Sequence, residues 1–209
     1  MKIRDVREGT HTPASGGGSY LYFRADIIAP DGAIVGLTDR KWIRELDGTV
    51  WAEHERQRID KPHRGKGAGS AWGRHLNALY YESEFDRIEL FASDDDGGYM
   101  WASVGFDFKE AWGAQAVIDQ LTVELRRLTR ERSNWSGDSD DPRLAGIIED
   151  IRLAERILHD AHVGFGNAGF PSAERISQAG RKPGMKYRVD DWLGARVMAD
   201  SEWDGVKYL

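Results

Sequence analysis

The stretch Arg64-Gly65-Lys66-Gly67-Ala68-Gly69-Ser70 packs three glycines and two cations into seven residues, directly ahead of a run with helical spacing. Glycine lets backbone N–H groups approach an anion closely, and a helix that starts there adds the positive end of its dipole. The chemistry to expect is the holding of a phosphate. A second cluster, Gly164-Phe165-Gly166-Asn167-Ala168-Gly169, satisfies the dinucleotide pattern G-x-G-x-x-G literally. That pattern works only between a strand and a helix. This copy follows the helix-like "ERILHDAHV", where glycine is expected as a C-terminal cap. The first cluster follows the strand-like Thr49–Ile59, so it is the better anion site.

Two carboxylates, Glu53 and Glu55, lie in that same strand-like stretch and by simple alternation share a face with Ile59. An alkyl ammonium titrates near 10.4, so a carboxylate able to take its proton would ready an amine for attack at neutral pH. Glu53 ranks first for that role, while the run "EHERQR" reads equally well as a solvated strand face. Asp94-Asp95-Asp96 would repel a neighbouring phosphate and fits a helix cap or a cationic acceptor better. Arg126, Arg127, Arg130 and Arg132 alternate with leucines on one helix, which marks a solvated face more than an RNA-binding one. His159 and His162 have no evident third ligand, so no metal is expected.

The chain of 209 residues contains no cysteine and carries a formal net charge of -6. Cysteine nucleophiles, thiolate metal sites and disulfides are excluded. The acidic balance weighs against non-specific nucleic-acid binding and suits a cationic partner such as an amine. No apolar run approaches the roughly 20 residues of a membrane span, and the start lacks the apolar middle of a signal peptide. A cytoplasmic location is the expectation.

The elements that position these residues follow from local signals. Tyr20–Ile28, Ala33–Leu46 and Thr49–Ile59 are β-rich, and Pro30-Asp31-Gly32 and Asp47-Gly48 are turn signals, which predicts a three-stranded antiparallel meander. After the glycine loop come a helix with Leu76, Leu79 and Tyr80 on one face, a strand "RIELFAS", a helical stretch Tyr99–Val104 closed by Gly105, and a further strand. From about Ala114 two amphipathic stripes appear. One is Val117, Ile118, Leu121, Leu125 and Leu128. The other is Leu144, Ile147, Ile148, Ile151 and Leu158, introduced by Asp141 as N-cap and Pro142. The terminal Asp204-Gly205 reads as a turn before a strand at Val206–Leu209.

Arg64-Gly65-Lys66-Gly67-Ala68-Gly69 resembles the R/Q-x-x-G-x-G/A phosphate loop of the general-control N-acetyltransferase (GNAT) superfamily, and "VGFDF" resembles that family's Gly-Phe element. The resemblance covers Tyr20 to about Trp112. It implies an α/β fold with a GNAT-like mixed, mostly antiparallel sheet and crossover helices, to which this chain adds a helical extension or insertion. The division it implies is a core over 1–113, helices over 114–202 and a final core strand over 203–209. It further implies an acyl-CoA-dependent N-acyltransferase, with acetyl-CoA as donor and a primary amine as acceptor. The diphosphate would lie on the amides of Lys66 to Ser70, with Arg64 and Lys66 assisting, and a backbone N–H near Ile59 would serve the thioester oxygen. With no cysteine to carry an acyl group, transfer would be direct. Two features depart from the family. The usual first two helices have little room before Tyr20, and the position of the tyrosine that protonates the leaving thiolate is Trp101, with Tyr99 two positions away. A catalytically weak CoA-binding module and an acyltransferase acting on an RNA-linked amine are the alternatives.

Overall fold

The computed structural model describes residues 2–11, 17–64, 67–93, 97–185, 192–199 and 201–209, without the side chains of His11 and Ser70. It is a mixed α/β fold. The strands are β1 Lys2–His11, β2 Gly18–Ile28, β3 Ile34–Arg44, β4 Val50–Ile59, β5 Arg87–Ala92, β6 Asp107–Phe108 and β7 Trp203–Tyr208. They form a mostly antiparallel seven-stranded sheet in the order β1-β2-β3-β4-β5-β7-β6. The helices among the described residues are α1 Ala68–Glu82, α2 Gly97–Ser103, α3 Ala111–Ser133, α4 Pro142–Ala161, α5 Ala173–Ser177 and α6 Leu193–Ala199. None of them is long and apolar enough to cross a membrane. The chain contacts divide into two compact units, Met1–Leu90 with Val206–Leu209, and Phe91–Gly205.

In the first unit β1, β2, β3 and β4 pair antiparallel in sequence. The meander therefore has four strands, not the expected three. β1 escapes sequence reading because Ile3 and Val6 are both more than half exposed, leaving no buried face to impose a period. The two turns form as their residues demand. Asp31 and Asp47 accept from the N–H two residues on, at 3.0 and 2.9 Å, while Gly32 and Gly48 take φ of 86° and 94°. α1 then crosses over, and β5 lies parallel to β4. Leu76 and Tyr80 of α1 are buried, and Tyr80 joins an aromatic group in which Trp42 stands edge-on to Phe23, Tyr80 and Phe85.

Under α1 lies a polar cluster within the apolar core. His54 Nε2 is 3.2 Å from the Tyr80 hydroxyl. Burial, reinforced by the charge of Arg40, pushes the His54 ring well below its ordinary 6.5, so it is neutral in the folded chain at neutral pH. Below about pH 6.5 the unfolded chain takes up this proton and the folded chain does not. The contribution is therefore complete above that pH and is lost as pH falls toward the folded value. The melting temperature should drop between pH 7 and pH 5, and His54→Gln should flatten that part of the slope. An unchanged slope would contradict a neutral buried ring.

The second unit is mostly helical. α3 and α4 form a hairpin whose buried residues include Val117, Leu121 and Leu128 on α3 and Ile147, Ile151, Ala154 and Ile157 on α4. Ile157 joins the α4 stripe as a buried residue, while Leu144, Ile148 and Leu158 of the expected stripe are half-buried. Asp141 caps α4 through the Arg143 N–H, with Pro142 in the first turn. Glu124 of α3 accepts from Arg127 and from Arg196 of α6, and Arg196 also reaches Asp150 of α4. Burial opposes the charge of Glu124, but these arginines outweigh it and hold the carboxyl below its ordinary range. The Asp204-Gly205 pair, a turn signal in the sequence, lies inside β7.

Two glycines of this unit are required by close approach. A β-carbon on Gly98 would stand 2.1 Å from the Met198 carbonyl, and one on Gly194 would stand 2.2 Å from that of Ile176. Either alanine variant should lose about 2 kcal/mol or more by overpacking, which is roughly 5 °C for a chain of this size. Gly146, inside α4 with nothing within 4 Å of its would-be β-carbon, should instead gain up to about 1 kcal/mol as alanine. Thermal melts that fail to rank the three this way would contradict the helix packing.

Candidate functional site

β4 delivers the site. Its parallel pairing with β5 ends at His54↔Leu90, while β4 itself runs on to Ile59. On the other side it stays paired with β3 as far as Gly36↔Ile59. The Asp60 N–H bonds the Val35 carbonyl at 2.9 Å, so by strand alternation the N–H and C=O of Ile59 point away from β3. Arg64 Nε donates to that Ile59 carbonyl at 2.9 Å, which ties the loop back onto the strand end. Between them a turn of 3-10 helix, Lys61–His63, begins with Pro62 in its first positions.

Gly65 and Lys66 lie outside the described residues. Gly67 is left-handed, φ 84° and ψ 0°, and is the N-cap of α1. A cap without a side chain leaves the first-turn N–H groups of Ala68, Gly69 and Ser70 with no side-chain acceptor, and the first turn holds no acidic residue. Gly69 sits against β4, where a β-carbon would stand 3.5 Å from Ile59 Cγ1 and 4.0 Å from Gln57 Nε2. Among the described residues, the start of α1 thus offers amides with no side-chain cap and a positive helix end with no acidic residue in its first turn.

The expectation that Glu53, Glu55 and Ile59 share a face is overturned by a β-bulge. The register passes from Asp39↔Arg56 to Arg40↔His54, so Glu55 is the extra residue and the alternation inverts across it. Gln57 and Ile59 face α1 together with His54. Glu53 and Glu55 face the opposite side, where each carboxylate lies 3.0 Å from Lys41 Nζ. Burial opposes the Lys41 charge, but Glu55 and Glu53 outweigh it and hold the ammonium above its ordinary range. The two carboxylates are brought together, but around a cation that the chain supplies itself.

Tyr99 lies in α2 of the second unit, buried and edge-on to Trp192 at 5.4 Å. Burial raises its hydroxyl above the ordinary range. Trp101 stands edge-on to Phe106 at 5.3 Å. The second glycine cluster follows the C-terminal end of α4, with Gly164, Gly166 and Gly169 all at positive φ. Asn167 Nδ2 donates there to the Val163 carbonyl at 2.7 Å. It is a helix-terminating loop with no strand before it. Asp94-Asp95-Asp96 lies outside the described residues. Arg127 is committed to Glu124 and Glu131, and among the described residues no group of three or more His, Cys, Asp or Glu is placed to hold a metal ion.

A broad concavity of about 900 Å³ in the first unit is lined by Tyr20, Trp42, Val50, Ser83 and Phe85 among others. Val50 opens β4 and Ser83 follows α1, whereas the glycine loop joins the other ends of these elements. A ten-residue strand spans roughly 33 Å, so the concavity and the loop are not one site. Sequence reading did not find Arg40, which is fully buried beneath α1. A cation in a strand ordinarily signals a solvated face, and no local signal marks this one as interior.

No protein-family model matches the chain, and no curated protein matches it. Among solved structures it is similar to one described as "Crystal structure of AtaTR bound with AcCoA", with 14% identity and a TM-score of 0.30 over 43% of this chain. The match spans 58% of the AtaTR chain. Likeness at that level establishes neither a shared fold nor a shared ligand.

Proposed function

We propose that the chain is an acyl-CoA-dependent N-acyltransferase of the GNAT type, with acetyl-CoA as donor and a primary amine as acceptor. The observation that carries the reading is the junction of β4 and α1. The R-x-x-G-x-G pattern falls between a strand end and a helix start, Gly67 is left-handed, and the first-turn amides are uncapped. A diphosphate there would complete the hydrogen bonding of Ala68, Gly69 and Ser70 and gain the helix dipole.

The acyl arm would then run along the edge of β4 that β5 no longer occupies. In this reading the Ile59 N–H donates to the thioester oxygen and more strongly to the oxyanion that forms on attack. Because the bulge sends Glu53 and Glu55 to the face opposite α1, the nucleotide and the amine approach from opposite faces and meet at that edge. Glu53 precedes Ile59 by most of the length of β4, roughly 20 Å by strand rise, so it takes a proton from the ammonium through a chain of waters. The free amine attacks the carbonyl carbon, the C–S bond breaks, and the CoA thiolate leaves and is protonated. The second proton, shed by the nitrogen as the amide forms, restores the group that protonated the thiolate. Trp101 has no hydroxyl to give, so in this reading water supplies the thiolate's proton. Helices over 114–202 are taken as an insertion in this core.

A catalytically weak CoA-binding module is the second reading. It is favoured by Trp101 at the acid position and by the hold of Lys41 on both carboxylates. Calorimetry with acetyl-CoA followed by CoA-thiol release against an amine library separates the two. Binding with amine-dependent thiol release supports the enzyme, binding without it supports the module, and no binding defeats both.

A further inference from the structure

Arg40 has no exposed surface. Its Nη1 donates to the carbonyls of Asp39 at 2.9 Å and Arg56 at 2.6 Å, and its Nη2 donates to Gln57 Oε1 at 2.6 Å. The guanidinium thus lies beside the bulge at Glu55 and takes the Arg56 carbonyl. Burial lowers its pKa to about 10, which leaves it charged at neutral pH. A guanidinium has donors and no acceptor, so the group it meets on Gln57 has to be the carboxamide oxygen. The orientation of that carboxamide is therefore fixed, with oxygen toward Arg40 and nitrogen away from it. The nitrogen is turned to the first turn of α1, 4.0 Å from where a Gly69 β-carbon would stand.

We propose that Gln57 is a further nucleotide-binding residue, whose carboxamide N–H2, oriented by the buried Arg40, donates to a diphosphate oxygen held at the start of α1. The inference rests on the acyl-CoA reading of the same loop and deepens it. Gln57 touches the ligand, whereas Arg40 is a positioning residue that acts through it. An aspartate or glutamate at position 57 would pair with Arg40 but bring no donor, which accounts for a neutral amide beside a buried cation.

The test is calorimetry of the full chain with acetyl-CoA and, separately, with ADP. Gln57→Ala should weaken both by a similar factor of about ten or more, the value of a hydrogen bond to a charged group, with a melting temperature lowered by a few degrees because Arg40 Nη2 loses its acceptor. Gln57→Glu should weaken both further, since it removes the donor and adds a carboxylate beside phosphate. Arg40→Met should reproduce the Gln57→Ala loss, and the double variant should lose nothing more, a non-additivity that a merely structural role would not produce. If Arg40→Met does not fold, the two Gln57 variants still decide. A loss seen with acetyl-CoA but not with ADP overturns the diphosphate assignment. Unchanged affinity in Gln57→Ala overturns the inference alone, whereas a wild type that binds neither ligand overturns the acyl-CoA reading beneath it.

Discussion

Gly67→Asp abolishes acetyl-CoA binding and leaves the fold intact: calorimetry should show an affinity loss of a hundred-fold or more, about 2.7 kcal/mol. The two halves of this expectation have separate causes. Nothing stands within 4 Å of a β-carbon at position 67, and the backbone there is left-handed at φ 84°. Aspartate tolerates that conformation better than most residues and is a favourable N-cap, so the melting temperature should move by only a few degrees. The same carboxylate, however, sits where the first-turn amides of α1 point. It would accept from those amides itself and repel a diphosphate at close range, with about 4 kcal/mol between unit charges at 4 Å near a protein surface. Gly166→Ala, in the loop after α4, is the control and should bind normally. Its β-carbon also meets nothing within 4 Å, so any effect would come from its own left-handed backbone and would appear in the melt. A ranking in which Gly166→Ala loses the ligand and Gly67→Asp keeps it would move the nucleotide to the second glycine cluster.

What the sequence made legible was local. Gly32 and Gly48 adopt the positive φ that their turn signals call for, Asp141 caps α4, and the glycine loop joins β4 to α1. Each depends on a residue and its immediate neighbours. β1 was not legible, because an edge strand with Ile3 and Val6 exposed carries no alternation of burial. The bulge was not legible either. Glu55 is marked by no glycine or proline, and the register shift that it makes inverts every face assignment after it. That single unread residue separated Glu53 from Ile59 and hid the pairing of Arg40 with Gln57. Asp204-Gly205 failed as a turn for a tertiary reason. Trp203 is fully buried and the Asp204 carbonyl accepts from the Lys109 N–H at 2.9 Å, so the strand is held straight through a turn dipeptide.

The bulge also makes the roles of the two carboxylates separable by experiment. Glu53→Gln should lower kcat by about a hundred-fold or more and remove the acid limb of the pH–rate profile, while acetyl-CoA affinity stays as in the wild type. Affinity is spared because Glu53 lies on the face away from Gln57, Ile59 and α1. The competing account makes Glu53 and Glu55 a structural seat for Lys41. Both stand 3.0 Å from its Nζ and both are about one-third exposed, at 36% and 34%, so as ion-pair partners they are nearly equivalent. Partly exposed pairs of this kind contribute only about 0 to 1 kcal/mol, and either glutamine variant would leave the other carboxylate in place. A structural role therefore predicts the same small effect from Glu53→Gln and Glu55→Gln, in the melting temperature and not in the rate. A base predicts asymmetry, with one variant losing turnover and its pH limb and the other losing neither. Glu53 is in regular register opposite Lys41, whereas Glu55 is the bulged residue and pairs in register with no residue of β3. Held opposite Lys41 on one side and beside Glu89 of β5 on the other, the regular position fixes its carboxylate just before the edge of β4 becomes unpaired. Equal rates in the two variants would remove both carboxylates from the mechanism and leave the amine to lose its proton to water.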